Sequence, residues 1–191
     1  RVHLVGICGT GMGTLAGMLA ARGLHVTGSD ENVYPPMSTQ LQRWGIPILE
    51  GFAAENLTPE RLGGVPDLVI IGGISQRHDV ASIRECMKQI RTASPCEFFL
   101  MTGPFGGANP LSGEDWRKKL DGGKDEQYAA ELKSLADAFD AEFFDMQLAW
   151  GQYLRGAGKP LDVFKRDPVH ANAEGEAVLA RILEQYFTPP K

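Results

Sequence analysis

The chain has 191 residues, of which 43% are hydrophobic and 23% charged, a balance typical of a globular protein with one buried core. Its net charge of −5 argues against a nucleic-acid or anionic-membrane surface, so neither partner is expected. Three cysteines without a C-x-x-C pair, and histidines without ligand spacing, favour a reducing, cytoplasmic compartment and no metal site.

Short apolar runs alternate with longer segments of helical period. Strands are predicted at Val2–Ile7, His25–Ser29, Ile48–Gly51, Asp67–Ile71, Phe98–Thr102 and Glu142–Asp145. Helices are predicted at Gly11–Arg22, Met37–Trp44, Val80–Ala93, Glu126–Phe139, Gln147–Ala157 and Ala173–Phe187. This alternation predicts one α/β domain over residues 1–191. Its doubly wound, mostly parallel sheet would be Rossmann-like or flavodoxin-like, with five or six strands and helices on both faces. Ligands of such sheets bind beyond the carboxyl ends of the strands.

The stretch 103–123 has no clear period and is rich in glycine, proline and charge. About twenty residues without secondary structure is long for a compact domain, and such loops are commonly functional or mobile. We therefore expect a functional or mobile loop here.

A glycine-rich turn follows the first predicted strand and opens the first predicted helix. An acidic residue, Asp30, closes the second strand about twenty residues later. Free amides at a helix start attract phosphate, and an acid at this spacing can accept a hydrogen bond from a ribose or base. The predicted binding residues are Gly9, Thr10, Gly11, Met12, Gly13 and Asp30. The alternative is tight strand–helix packing, with Asp30 as a solvated turn residue.

The segment "HLVGICGTGMGTLAGMLAARGLHVTGSDENVYPPMSTQLQRWGI", followed by "PDLVIIG", resembles the N-terminal domain of the Mur ligases over residues 1–72. It is most similar to the branch that reattaches recycled murein tripeptide to UDP-N-acetylmuramate. The resemblance implies a UDP site, with residues 9–13 along the diphosphate and Asp30 near the uridine. No G-x-x-x-x-G-K-[ST] phosphate loop occurs in the chain, so these residues do not support ligase activity.

Near the C-terminus, Asp167 stands three residues before His170, just ahead of an amphipathic helix. An aspartate can orient an imidazole, and the imidazole can activate a hydroxyl, although histidine near a helix start is more often a capping or packing residue. The segments "CEFFLMTGPFG", "YAAELKSLADAFDAEFFDMQLAW" and "DPVHANAEG" resemble the C-terminal half of the SGNH (GDSL-type) hydrolases over residues 74–187. The resemblance implies a flavodoxin-like esterase fold in which Asp167 and His170 are the last two members of a catalytic triad.

The nucleophile and oxyanion donors of that family lack clear counterparts. The turn that should carry its serine reads "GICGTG", where Cys8 and Thr10 are weak candidates. Ser75 or Gln76 stands where an oxyanion asparagine is expected. Without these groups most of the rate advantage should be lost, so the dyad is interpreted as vestigial.

Together the two resemblances indicate an engineered or recombined chimera, joining a fragment 1–72 to a fragment 73–191. We expect no evolved catalytic activity and no required cofactor. At most, the glycine-rich loop would retain a small anionic ligand: a UDP-type nucleotide, phosphate or sulfate. The alternatives are a weak ester hydrolase using Asp167 and His170 and, ranked last, a nicotinamide-dependent oxidoreductase. Oligomeric state is left open.

Overall fold

A computed structural model describes residues 1–72, 80–93, 95–104, 109–118, 123–167 and 170–188. The strands are β1 (Val2–Val5), β2 (Val26–Asp30), β3 (Ile48–Glu50), β4 (Leu68–Ile71), β5 (Glu97–Met101) and β6 (Glu142–Phe144). The helices are α1 (Thr10–Ala21), α2 (Met37–Arg43), α3 (Pro59–Leu62), α4 (Val80–Ala93), α5 (Lys124–Ala138), α6 (Met146–Ala157) and α7 (Ala173–Phe187). Single 3₁₀ turns lie at Ala54–Leu57, Pro110–Ser112 and Leu161–Phe164.

All six strands form one parallel sheet in the order β3-β2-β1-β4-β5-β6. The predicted α/β class is confirmed, and the strand order is that of the Rossmann fold rather than the flavodoxin fold. The chain winds outward from β1 in one direction through β3 and then in the other from β4 to β6. The carboxyl ends of β1 and β4 therefore border the crevice in which open α/β sheets bind ligands.

Helices cover both faces of the sheet because the strands are apolar on both sides. One core joins the sheet to α1, α2, α6 and α7 and includes Leu4, Leu15, Ile70, Phe99, Trp150 and Leu179. The other joins it to α4 and α5 and includes Val69, Met87, Phe98, Leu100 and Leu132. Burial on two faces explains the nearly continuous apolar runs of β4 and β5.

The first and last helices pack against each other on one face of the sheet. At the surface, Arg22 Nη2 lies 3.0 Å from Glu184 Oε1, just past the end of α1 and near the end of α7. The N-terminal and C-terminal parts of the chain thus share one core.

Part of the irregular stretch between β5 and α5 is docked on α6. Trp116 is buried, and its ring fills the space that a Cβ on Gly151 would need. Arg155 Nη1 donates to the carbonyls of Pro110 and Gly113. These contacts fix the described residues 109–118 in place, so the prediction of mobility is not supported there. Residues 105–108 and 119–122 lie outside the described residues.

Among the helices that the structure describes, none is long and apolar enough to cross a bilayer.

Candidate functional site

The loop between β1 and α1 is fixed to the carboxyl end of β2 by successive backbone amides. The chain turns at Gly6, whose φ of 81° favours glycine. The amides of Gly6 and Ile7 both donate to the carbonyl of Ser29, at 2.8 and 3.2 Å. The next amide, that of Cys8, donates to Asp30 Oδ2 at 2.8 Å. These hydrogen bonds fix the backbone of the loop at the crevice beside β1.

Helix α1 begins without a side-chain cap. Gly9 is its N-cap residue and accepts the first helical bond from the amide of Gly13 at 2.7 Å. Among the described residues, no side chain caps this end, and the first turn holds no acidic residue. The amides of Gly11 and Met12 belong to the first turn, where backbone donors have no intrahelical acceptor. An anion placed there would accept from these amides and would be stabilised by the helix dipole.

The glycines around the loop serve two different purposes. A Cβ on Gly13 would come within 2.9 Å of Met37 Cε, and one on Gly72 within 3.1 Å of Met12 Cε. These glycines allow close packing of α1 against α2 and β4. A Cβ on Gly11, in contrast, would have no atom of the described residues within 4 Å. The close-packing alternative therefore holds at Gly13, whereas Gly11, at the start of the helix, has none of the described residues packed against its Cα.

Asp30 is buried, with 7% of its surface exposed, so the alternative in which it is a solvated turn residue is wrong. Its Oδ2 accepts from the Cys8 amide, and its Oδ1 accepts from the Asn32 amide at 2.9 Å. Each carboxylate oxygen is thus already bonded to backbone. The predicted contact of Asp30 with a ribose or uridine stays a prediction.

The environment of Cys8 disfavours a nucleophilic role. Burial, and then the nearby carboxylate of Asp30, raise the pKa of the Cys8 thiol to about 11. The thiol is therefore protonated at neutral pH, and the protonated form is a poor nucleophile. Thr10 begins α1, and its side chain lies outside the described residues.

Asp167 and His170 form the predicted pair in the turn before α7. His170 Nδ1 lies 2.8 and 2.9 Å from the two carboxylate oxygens of Asp167, whose Oδ1 also accepts from the His170 backbone amide. The Asp167 side chain is 39% exposed and the His170 side chain 35% exposed. In the part of the chain that the structure describes, no hydrogen bond joins the Cys8 thiol to His170. Ser75 and Gln76 lie outside the described residues.

One buried polar group that sequence reasoning missed is His3, on the face of β1 toward the second core. Its Nδ1 and Nε2 contact the hydroxyls of Thr27 and Ser29 at 2.9 and 3.1 Å. Burial lowers the pKa of His3 to about 4, so the ring is neutral at pH 7. The sequence carried part of the signal, because all three polar residues lie within predicted strands, but bringing them together requires the strand register that the structure shows.

A second missed cluster joins the carboxyl ends of β5 and β6 to the docked segment. Arg117 Nη1 lies 2.7 Å from Asp145 Oδ2, with side chains 10% and 17% exposed. Asp145 also caps α6 by accepting from the Leu148 amide, and it accepts from the hydroxyl of Thr102. Gln147 donates from its backbone to Thr102 and from its side chain to Asp125. This cluster anchors residues 109–118 to the edge of the sheet.

Within the described ranges, no group of three or more histidine, cysteine, aspartate or glutamate side chains is arranged to hold a metal ion.

A parallel sheet in Rossmann order, with an uncapped glycine-rich helix start at its switch point, defines a Rossmann-like α/β protein with a candidate anion site. A family model described as "Mur ligase family, catalytic domain" matches residues 1–98. The chain belongs to the Mur ligase family. The match extends past residue 72 to include α4 and the start of β5, further than the resemblance predicted from the sequence.

Individual relatives agree with this assignment over the first part of the chain. The UDP-N-acetylmuramate--L-alanyl-gamma-D-glutamyl-meso-2,6-diaminoheptandioate ligase of Escherichia coli (strain K12) is 52% identical over 77 residues, which are 40% of this chain and 16% of that protein. The UDP-N-acetylmuramate--L-alanine ligase of Deinococcus radiodurans is 36% identical over 90 residues, 47% of this chain and 18% of that protein. The matched region is thus less than a fifth of the length of either relative.

One solved structure is similar along nearly the whole chain. The acetyl xylan esterase AlAXEase superposes with a TM-score of 0.53 over 98% of this chain and 100% of its own, at 15% sequence identity. At this identity the similarity shows a shared fold and nothing about activity.

Proposed function

We propose that the protein binds the diphosphate group of a UDP-type nucleotide at the start of α1. The observation that carries the proposal is the pair of amides at Gly11 and Met12, in the first turn of a helix that, among the described residues, has no side-chain cap and nothing packed against Gly11. Its position at the switch point between β1 and β4 supports it. The family match also supports the proposal, because it covers the whole loop. The names of the relatives that match this region contain UDP-N-acetylmuramate. No cofactor is required for binding, and the partner is a small anionic ligand.

Thermal unfolding with and without ligand tests the binding claim. UDP-N-acetylmuramate, UDP and sulfate are each added at millimolar concentration to the intact chain. A ligand at about 100 times its Kd stabilises the folded state by about 2.7 kcal/mol. For a chain of this size that raises Tm by about 5–10 °C. No shift with any of the three ligands would remove the proposal.

Gly11→Ala separates binding from folding. The added methyl group projects into open space, and alanine favours a helix by about 0.5–1 kcal/mol over glycine, so the ligand-free Tm should be unchanged or raised. The same methyl group would project toward the proposed position of the diphosphate, so it should weaken UDP binding. Isothermal titration calorimetry measures the change in affinity. Gly156→Ala, in α6, is the matched control, because a Cβ there also meets no atom of the described residues within 4 Å. Equal UDP affinity in both variants would place the diphosphate elsewhere.

The distances between His170 and Asp167 support a second candidate function, weak ester hydrolysis. An imidazole oriented by a carboxylate can act as a general base toward a hydroxyl or water. We expect slow hydrolysis of p-nitrophenyl acetate that falls to background in His170→Ala. His25→Ala is the matched control, since it removes another exposed imidazole. Activity that survives His170→Ala would reject this function.

We also propose that the chain is a hybrid of a Mur-ligase-like fragment, 1–72, and an SGNH-hydrolase-like fragment, 73–191. Support comes from a family match that ends within β5, in a chain whose fold continues through β6 and α7. Parallel sheets can be joined at a strand end without disturbing the pattern of either parent. The resemblance found in the sequence places the join at residues 73–79, which lie outside the described residues, whereas the family match continues to residue 98 and favours a join after α4.

A further inference from the structure

The carboxylate of Asp30 lies close to the proposed anion-binding loop, where its negative charge should repel an anion. Its Oδ2 is 2.8 Å from the amide of Cys8, which is two residues before the start of α1. A fixed negative charge so close to the loop opposes the binding of a diphosphate. Its effect on the loop must therefore offset this repulsion if the site is to bind an anion.

The hydrogen bonds of Asp30 show what that effect is. One oxygen holds the amide of Cys8 and the other holds the amide of Asn32, so the carboxylate joins the loop after β1 to the turn after β2. The Asp30 carbonyl also accepts from the amide of Gly51 at 2.8 Å, which ties it to the segment after β3. Charge-assisted bonds to backbone amides are stronger than neutral ones, and the Asp30 residue that accepts these two is buried, although the bonds themselves are only partly so. Asp30 thereby fixes the carboxyl ends of three neighbouring strands.

We infer that Asp30 is a positioning residue of the anion site: it holds the loop against β2 so that the first-turn amides of α1 are preorganised for a diphosphate, without itself contacting the ligand. The inference rests on the proposed function. It differs from the role implied by the family resemblance, in which Asp30 lies at the uridine. The two roles predict different dependence on ligand structure.

Affinities for UDP and inorganic pyrophosphate distinguish the roles. Asp30→Ala removes the bond to the Cys8 amide, so both ligands should bind about tenfold more weakly, by the same factor. Asp30→Asn keeps an oxygen acceptor and removes the charge, so it should retain most of the affinity for both. Glu31→Ala is the matched control: it removes a neighbouring exposed carboxylate, which has no hydrogen bond to the loop among the described residues. Its affinity for both ligands should be unchanged or higher, because only repulsion is removed.

Three calorimetric results would overturn the inference. Tighter binding by Asp30→Ala would show that repulsion is the main effect of the carboxylate. Loss of UDP affinity with unchanged pyrophosphate affinity would place Asp30 at the nucleoside. Equal affinities in Asp30→Ala and Glu31→Ala would show that no positioning occurs. If Asp30→Ala does not fold, Asp30→Asn carries the test: a selective loss of UDP affinity, or tighter binding of both ligands, overturns the inference, and an equal, small loss of affinity for both ligands supports it.

Amide hydrogen exchange of the ligand-free protein separates this inference from the proposed function. Loss of the bond to Asp30 should speed exchange at the Cys8 amide by about tenfold or more in Asp30→Ala, while Glu31→Ala leaves it unchanged. Unchanged exchange at Cys8 in Asp30→Ala overturns the positioning role. If the wild-type protein binds neither ligand, the proposed function fails, and the exchange result still decides whether Asp30 holds the loop.

Discussion

Asp145→Ala is expected to lower the free energy of unfolding by about 3–5 kcal/mol, because it leaves the guanidinium of Arg117 buried without its ion-pair partner. The substitution also removes the N-cap bond to the Leu148 amide and the acceptor of the Thr102 hydroxyl. Since the Arg117 side chain is only 10% exposed, water can replace little of what is lost. Urea unfolding at neutral pH measures the change.

Two further variants show whether the buried charge is the cause. Asp137→Ala is the matched control, because it breaks a pair with Lys133 whose side chains are 61–65% exposed, and it should cost no more than about 1 kcal/mol. Asp145→Asn keeps one oxygen, which can accept from the Leu148 amide and the Thr102 hydroxyl, but it loses the charge, so its stability should fall between those of Asp145→Ala and the wild type. Equal losses in Asp145→Ala and Asp137→Ala would contradict the argument.

Acidification below about pH 6.5 is expected to destabilise the protein through His3. Burial lowers the pKa of His3 to about 4 in the folded state, whereas the unfolded chain has a pKa near 6.5. Between these values the unfolded state binds the extra proton, so stability falls as pH falls, by about 1.4 kcal/mol per pH unit. The full effect approaches about 3 kcal/mol at pH 4, and above pH 7 His3 adds no pH dependence.

The contribution of His3 is isolated by comparison with His3→Gln. Glutamine can hydrogen-bond to the hydroxyls of Thr27 and Ser29 but does not titrate. Urea unfolding free energies of both proteins are measured from pH 7 to pH 4, and their difference should change by about 3 kcal/mol over this range. A pH-independent difference would show that the buried ring is not responsible.

The sequence predicts strands and helices well where apolar residues recur with a regular period over many positions. Alternation of apolar runs and helical periods located six strands and six of the helices to within a few residues. Single turns such as α3 have too few residues for a period and were missed. The first strand ends at Val5 rather than Ile7, because the chain turns at Gly6 to bring two amides to Ser29.

Contacts between distant segments set the limits of prediction. The sequence indicated Asp30 as an acid at the right spacing but not that its oxygens bind backbone amides, because that depends on how β2 meets the loop. The pair of Arg117 and Asp145 joins segments 28 residues apart and has no local pattern. The pair of Asp167 and His170 was predictable, since both residues lie in one turn. Strand order also depends on contacts between distant segments, so the sequence did not distinguish the Rossmann order from the flavodoxin order.

The contact between α1 and α7 has a thermodynamic consequence for any ligand at the start of α1. A ligand that requires the first turn of α1 to be formed binds only where the core shared with α7 is also intact. Saturation would then protect the last helix from fraying, and by reciprocity, loosening that helix would release the ligand. Residues more than 150 positions beyond the glycine-rich loop would thus contribute to the affinity of such a ligand without contacting it.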